Sequence, residues 1–237
     1  MSFFSKKQEV NLEDFCRDFY ESQILNPKIG EVGIDAMSVY AKQIKKSVTE
    51  IDSVFVDVDL QKLTYELTVI RFELFALAWL HEFPDKLFSQ SVFTYEYLHE
   101  KGRDDIWEGM EKYNVAIADS ITTGLSESET LYISRDRMDL FDRQIENAKK
   151  NGLDLDSNNS VFGKCIARTI NRQFFNKAWK NGHTIYFLML ALCHQLGLGY
   201  GPSYTGPNKE AQFRLGATVR GFYDGAEQSM DNVKIKS

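Results

Sequence analysis

The sequence predicts an all-α protein, a single bundle of about eight helices. Three observations carry that expectation. Apolar residues recur with 3,4 spacing through nearly every segment. Only 4 prolines and 15 glycines interrupt 237 residues, too few breakers for a turn-rich all-β chain. No segment shows an extended alternation of apolar and polar residues. With 43% hydrophobic residues, the chain has enough apolar surface to fold around a core instead of remaining disordered.

The elements follow in order from these patterns. Asn11 is placed to cap a first helix carrying Leu12, Phe15, Cys16 and Phe19, which Asn26 and Pro27 end. A second helix keeps one apolar face through Ile34, Met37, Ala41, Ile44, Val48, Ile51 and Phe55. The third does so through Leu60, Leu63, Leu67, Ile70, Leu74 and Leu77, stopping before Pro84. A shorter helix reaches Glu100, and Gly102 separates it from a helix using Ile106, Met110, Tyr113, Ile117 and Ile121. Leu131, Met138, Phe141, Ile145 and Ala148 share the face of the next helix, which Gly152 stops. The polar stretch 154–160 reads as an exposed connection, followed by helices over about 160–178 and 183–196. Residues 1–196 thus form the bundle domain. Residues 197–237 read as a glycine-containing connector, a weak helix near 208–229 and a loose basic tail, packed on the same domain.

Two of these helices differ from the others. From Val69 to Leu80 only Arg71 and Glu73 are polar, and nothing between Ile185 and Cys193 is charged. A helix that is apolar on every side is surrounded by other helices, which puts the segments at about 59–83 and 183–196 in the centre. Arg71 and Glu73 lie about 200° apart around their helix, so each needs a partner from another element. Either they form structural ion pairs or they line a ligand site, and His194, at the end of the second apolar run, is the histidine expected beside them.

Charge is divided unevenly. Residues 1–156 carry a net −12 and residues 157–237 a net +6, and no Asp or Glu occurs between Ser157 and Lys209. Within that gap Lys164, Arg168 and Arg172 fall at i, i+4 and i+8, one stripe of a helix, with Lys177 and Lys180 beyond. The stripe either lies over the acidic N-terminal helices or offers an anion-binding face, with Phe174, Phe175 and Trp179 near enough to stack on bases. The formal charge of −6 gives no general attraction to nucleic acid or to an anionic membrane, so nucleic acid is not the expected partner.

Motifs for chemistry are incomplete. Glu96 and His99 have ExxH spacing, but a ferritin-like di-metal site needs a second such pair, which is absent. No metal is therefore expected, and His81, Glu96 and His99 are the fallback ligands if one binds. The glycines at 197, 199 and 201 follow a helix where a phosphate loop follows a strand, no GxSxG elbow occurs, and no cofactor motif is present. Cys16, Cys165 and Cys193 are odd in number and lack CxxC spacing. They read as reduced thiols in a cytoplasmic protein, with no secretory apolar region and no membrane span. The residues identify no reaction and no substrate. The reading they favour is a cytoplasmic, non-catalytic helical protein that acts through a protein partner or self-association. An enzyme or small-ligand binder built on the buried polar cluster is the alternative, and binding of an anionic partner by the 164–180 face is a third.

Overall fold

The computed structural model describes residues 7–26, 28–29, 34–122, 163–166, 168–169, 172, 183–198, 209–231 and 233–236, together with scattered helical positions between 139 and 149. The architecture is all-α. The helix expected over 126–152 is described only at scattered helical positions between 139 and 149, and the 154–160 connection, Phe174, Phe175, Lys177, Trp179, Lys180 and the glycines at 199 and 201 fall outside the described residues.

Helix α1 (Leu12–Phe19) starts where Asn11 accepts the backbone N–H of Glu13 at 2.8 Å, and continues as a π-helical stretch over Tyr20–Leu25. Helix α2 (Ala36–Thr49) ends earlier than its apolar period suggests, since Ser53–Phe55 form a short 3-10 turn. Ile51 and Phe55 still pack inward from there, so the periodic pattern outlasts the helix. Helix α3 (Leu60–Glu82) is capped by Asp59, whose carboxylate accepts from the N–H of Lys62 at 2.7 Å. Fifteen of its residues are buried, including every position from Phe72 to Leu80. Helices α4 (Leu87–Glu100), α5 (Asp104–Thr122), α6 (His183–Gln195) and α7 (Lys209–Met230) follow, with further helical residues at 163–166, 168–169 and 172, and α3 packs against α2, α4, α5, α6 and α7.

Two of the sequence's glycine stops have the geometry their role requires. Gly102 (φ +64°) and Gly197 (φ +77°) take the left-handed conformation just beyond α4 and α6. The following N–H groups turn back onto Leu98 and Cys193, closing the helix ends.

After Gly197 the helix lies where the sequence places it, and the tail departs from expectation. The weak helix is a 22-residue element packed on α2, α3 and α6, and the tail is not loose. Its residues Val233–Ile235 (β4) pair in parallel with Gln8–Val10 (β1), and Lys234 bonds Glu9 at 2.8 Å. A second minimal pair joins Lys28–Ile29 (β2) to Ile34–Asp35 (β3) in antiparallel register. Strands of two or three residues are too short to leave a period-2 signal. Among the described residues, no helix is long and apolar enough to cross a membrane.

Candidate functional site

The polar residue at the centre of the bundle is Glu73, 3% exposed on α3. Its helix is specified by the apolar residues on both sides, and it has no carboxylate-compatible neighbour on its own buried turns. Its partners come from elsewhere. Arg168 and Arg172, four residues apart and therefore on one helical face, both turn toward it. The guanidinium of Arg168 donates through Nη2 to Glu73 Oε1, and that of Arg172 through Nη2 to Oε2 at 3.1 Å. From α5, the Asn114 amide donates to Oε1 at 3.2 Å while also donating to its own helix at Met110.

Two further contacts fix the arginines. Trp107, seven residues before Asn114 on α5, lies under the Arg168 guanidinium, with the charge 4.7 Å from the ring centroid. Ser91 on α4 accepts from Arg172 Nη1 at 3.4 Å, and its backbone carbonyl receives the Cys165 thiol. The Glu73 carboxylate of α3 is thus held by α5 and by Arg168 and Arg172, and α4 holds Arg172 in turn.

The electrostatics are unequal. Two guanidinium charges meet one carboxylate, and Arg168 and Arg172 are 3% and 1% exposed. Burial, reinforced by the charge of Arg172, pulls the Arg168 pKa down to about 9, which leaves it cationic at neutral pH. Removing such charges from water costs several kcal/mol per ion, so the close geometry is needed for the cluster to persist. Among the described residues, Arg168 Nε and Nη1, Arg172 Nε and Thr169 Oγ1 are buried without a hydrogen-bond partner.

The sequence-selected residues separate accordingly. Glu73 joins Arg168 and Arg172, two residues from the basic stripe, whereas Lys164 stays half exposed beside Glu111 at 3.8 Å. Arg71 faces elsewhere: its guanidinium reaches Met37 Sδ at 3.2 Å and lies 4.7 Å from the Phe222 ring centroid. Burial lowers its pKa to about 10. His194 is solvent-exposed at the end of α6, and the groups that hold Glu73 are the two arginines and Asn114. The side chain of His183 is outside the description. His81 Nδ1 contacts the Tyr223 hydroxyl at 2.8 Å, His99 Nδ1 contacts Asp104 at 2.9 Å, and Glu96 is exposed. Among the described residues, no three His, Cys, Asp or Glu side chains gather as metal ligands.

Asn114, Ser91 and Trp107 were not singled out by sequence. The available signal was Asn114 itself, a polar residue four after Met110 on a face otherwise built from Met110, Tyr113 and Ile117. Two other buried polar sets lie nearby in the fold. Tyr113 donates to Glu66 at 2.9 Å, and Gln90 donates to Tyr20 at 2.7 Å and to Thr94 at 2.9 Å. All three cysteines are buried free thiols, and burial pushes Cys165 and Cys193 up to about 12. A cleft of about 400 Å³ opens between α2 and α3 beside Ser38, Gln61, Thr64 and Arg103, and its lining excludes the Glu73 cluster. No protein family, curated protein or solved structure matches this chain.

Proposed function

We propose that this is a cytoplasmic, non-catalytic helical protein that acts by binding a protein partner. The observation that carries this reading is the closure of Glu73. Both carboxylate oxygens are taken up by Arg168, Arg172 and Asn114, so the central carboxylate is engaged within the fold and is not free to act as a base. The cysteines support the same reading, because buried thiols held up to about 12, as at Cys165 and Cys193, are not nucleophiles at neutral pH. Their odd number and unpaired state accord with a reducing compartment.

Outward, α7 presents Phe213 at 74% exposure, the most exposed large apolar side chain described. Aromatic side chains of this kind anchor protein interfaces. The test is capture of protein partners on the immobilised chain, compared with Phe213→Asp. The variant should keep the wild-type melting temperature and lose the captured protein. Equal capture by the two chains, or none above background, would refute the reading.

A further inference from the structure

We infer that the corner formed by Arg168, Thr169 and Arg172 binds a small oxyanion, the charge class shared by phosphate and simple carboxylates. The inference goes beyond partner binding and does not rest on it. Its basis is an imbalance inside the cluster. Among the described residues, two guanidinium groups share one carboxylate within ion-pair distance, and Glu111, which also acts on Arg168 from farther off, is paired with Lys164. One positive charge is thus left without an ion-pair partner among the described residues, in a place where Arg168, Thr169 and Arg172 are 3%, 0% and 1% exposed. A buried charge without a counter-charge is among the most costly features a fold carries.

Hydrogen-bonding capacity is left over at the same residues. Arg168 Nε and Nη1, Arg172 Nε and the Thr169 hydroxyl are all buried and have no partner among the described residues. Three are charged N–H donors and the fourth is a hydroxyl able to donate. They belong to the helical residues 168, 169 and 172, four positions from first to last. An anion with several acceptor oxygens matches both deficits together, since it supplies one negative charge and satisfies planar guanidinium edges that favour oxyanions. Water would satisfy the donors and leave the charge. A neutral ligand would do the same. With the anion bound, the cluster holds two positive and two negative groups.

The Glu73 carboxylate fixes the polarity of the test. Its loss should strengthen anion binding, because the arginines then have no other counter-charge, whereas loss of the Thr169 hydroxyl should weaken it. Thermal unfolding of the whole chain is followed while inorganic phosphate, sulfate or acetate replaces chloride at constant ionic strength. Isothermal calorimetry with the same anions gives Kd. A saturable rise in melting temperature is expected for at least one oxyanion and none for chloride. Comparison of phosphate with acetate separates a tetrahedral from a carboxylate ligand.

Thr169→Val is the decisive variant, being close in shape and removing a hydroxyl that has no partner. It should fold at least as stably as the wild type without anion and bind the oxyanion at least tenfold more weakly. A purely structural cluster gives the first result without the second. Absence of a saturable shift for all three oxyanions overturns the inference, as does unchanged affinity in Thr169→Val. Glu73→Gln, where it remains folded, should bind more tightly than the wild type, and weaker binding there also counts against the site.

Discussion

Replacing Glu73 with glutamine isolates the charge at the centre of the bundle, because the side chain keeps its length and planar shape. In the native fold Arg168 and Arg172 direct their Nη2 groups at its two oxygens, with both guanidinium groups 3% exposed or less. Among the described residues, the amide removes the only carboxylate within ion-pair distance of them and turns a donor group toward them. Breaking a buried ion pair from one side costs about 3–5 kcal/mol, since the orphaned charge stays buried. Against a stability of about 5–15 kcal/mol for an ordinary domain, that is a third or more of the total in many cases. For a chain of this length the melting temperature should fall by roughly 6–20 °C. Urea unfolding followed by far-UV circular dichroism measures the loss, with an unchanged m-value showing that the unfolded state is the same. The companion variant replaces Glu73 with Leu and both arginines with Met. It should recover the wild-type stability or exceed it by about 1–4 kcal/mol, because three desolvation penalties disappear together. A loss below about 1 kcal/mol for Glu73→Gln, the value of an exposed pair, would refute the reasoning that this cluster holds the 163–172 segment to the core.

Two further substitutions test the packing and the electrostatics around it. Gly109 on α5 faces α3 so closely that a Cβ atom there would lie 2.7 Å from the Tyr65 hydroxyl and 2.9 Å from Val69 Cγ2. Gly109→Ala should therefore be destabilising on balance, overpacking costing about 1–3 kcal/mol against a helix-propensity gain of about 1 kcal/mol, and a variant melting at or above the wild type would show that the contact relaxes freely. Burial holds the Glu66 carboxyl above the usual carboxylate range, opposed by the hydrogen bond from Tyr113. A raised pKa in the folded state means that its stabilising contribution is fully present below the unfolded value and is lost as pH rises through the folded one. Glu66→Gln should accordingly melt above the wild type near pH 8, with the gap closing toward pH 4. A gap that is constant across this range would remove the titration of Glu66 as its cause.

The sequence by itself determined the helical class of this protein, since the 3,4 spacing of apolar residues and the scarcity of breakers are local properties that survive without any partner. Asn11, Asp59, Gly102 and Gly197 act through their own backbone neighbourhoods, and the boundaries of α1, α3, α4 and α6 are legible there for that reason. The burial of α3 was legible too, because a helix apolar on all faces has no solvated side. Tertiary structure decided what its two charged residues do. Arg71 and Glu73 are two positions apart, yet one meets Met37 and Phe222 while the other meets arginines 95 and 99 residues away in the chain. It also decided that Arg168 and Arg172 turn inward while Lys164, on the same stripe, remains at the surface. Periodicity assigns a side chain to a face of its helix, but the partner on that face is set by how the helices pack. The same reason hid β1 and β4, whose pairing exists only because packing brings residues 8–10 and 233–235 side by side.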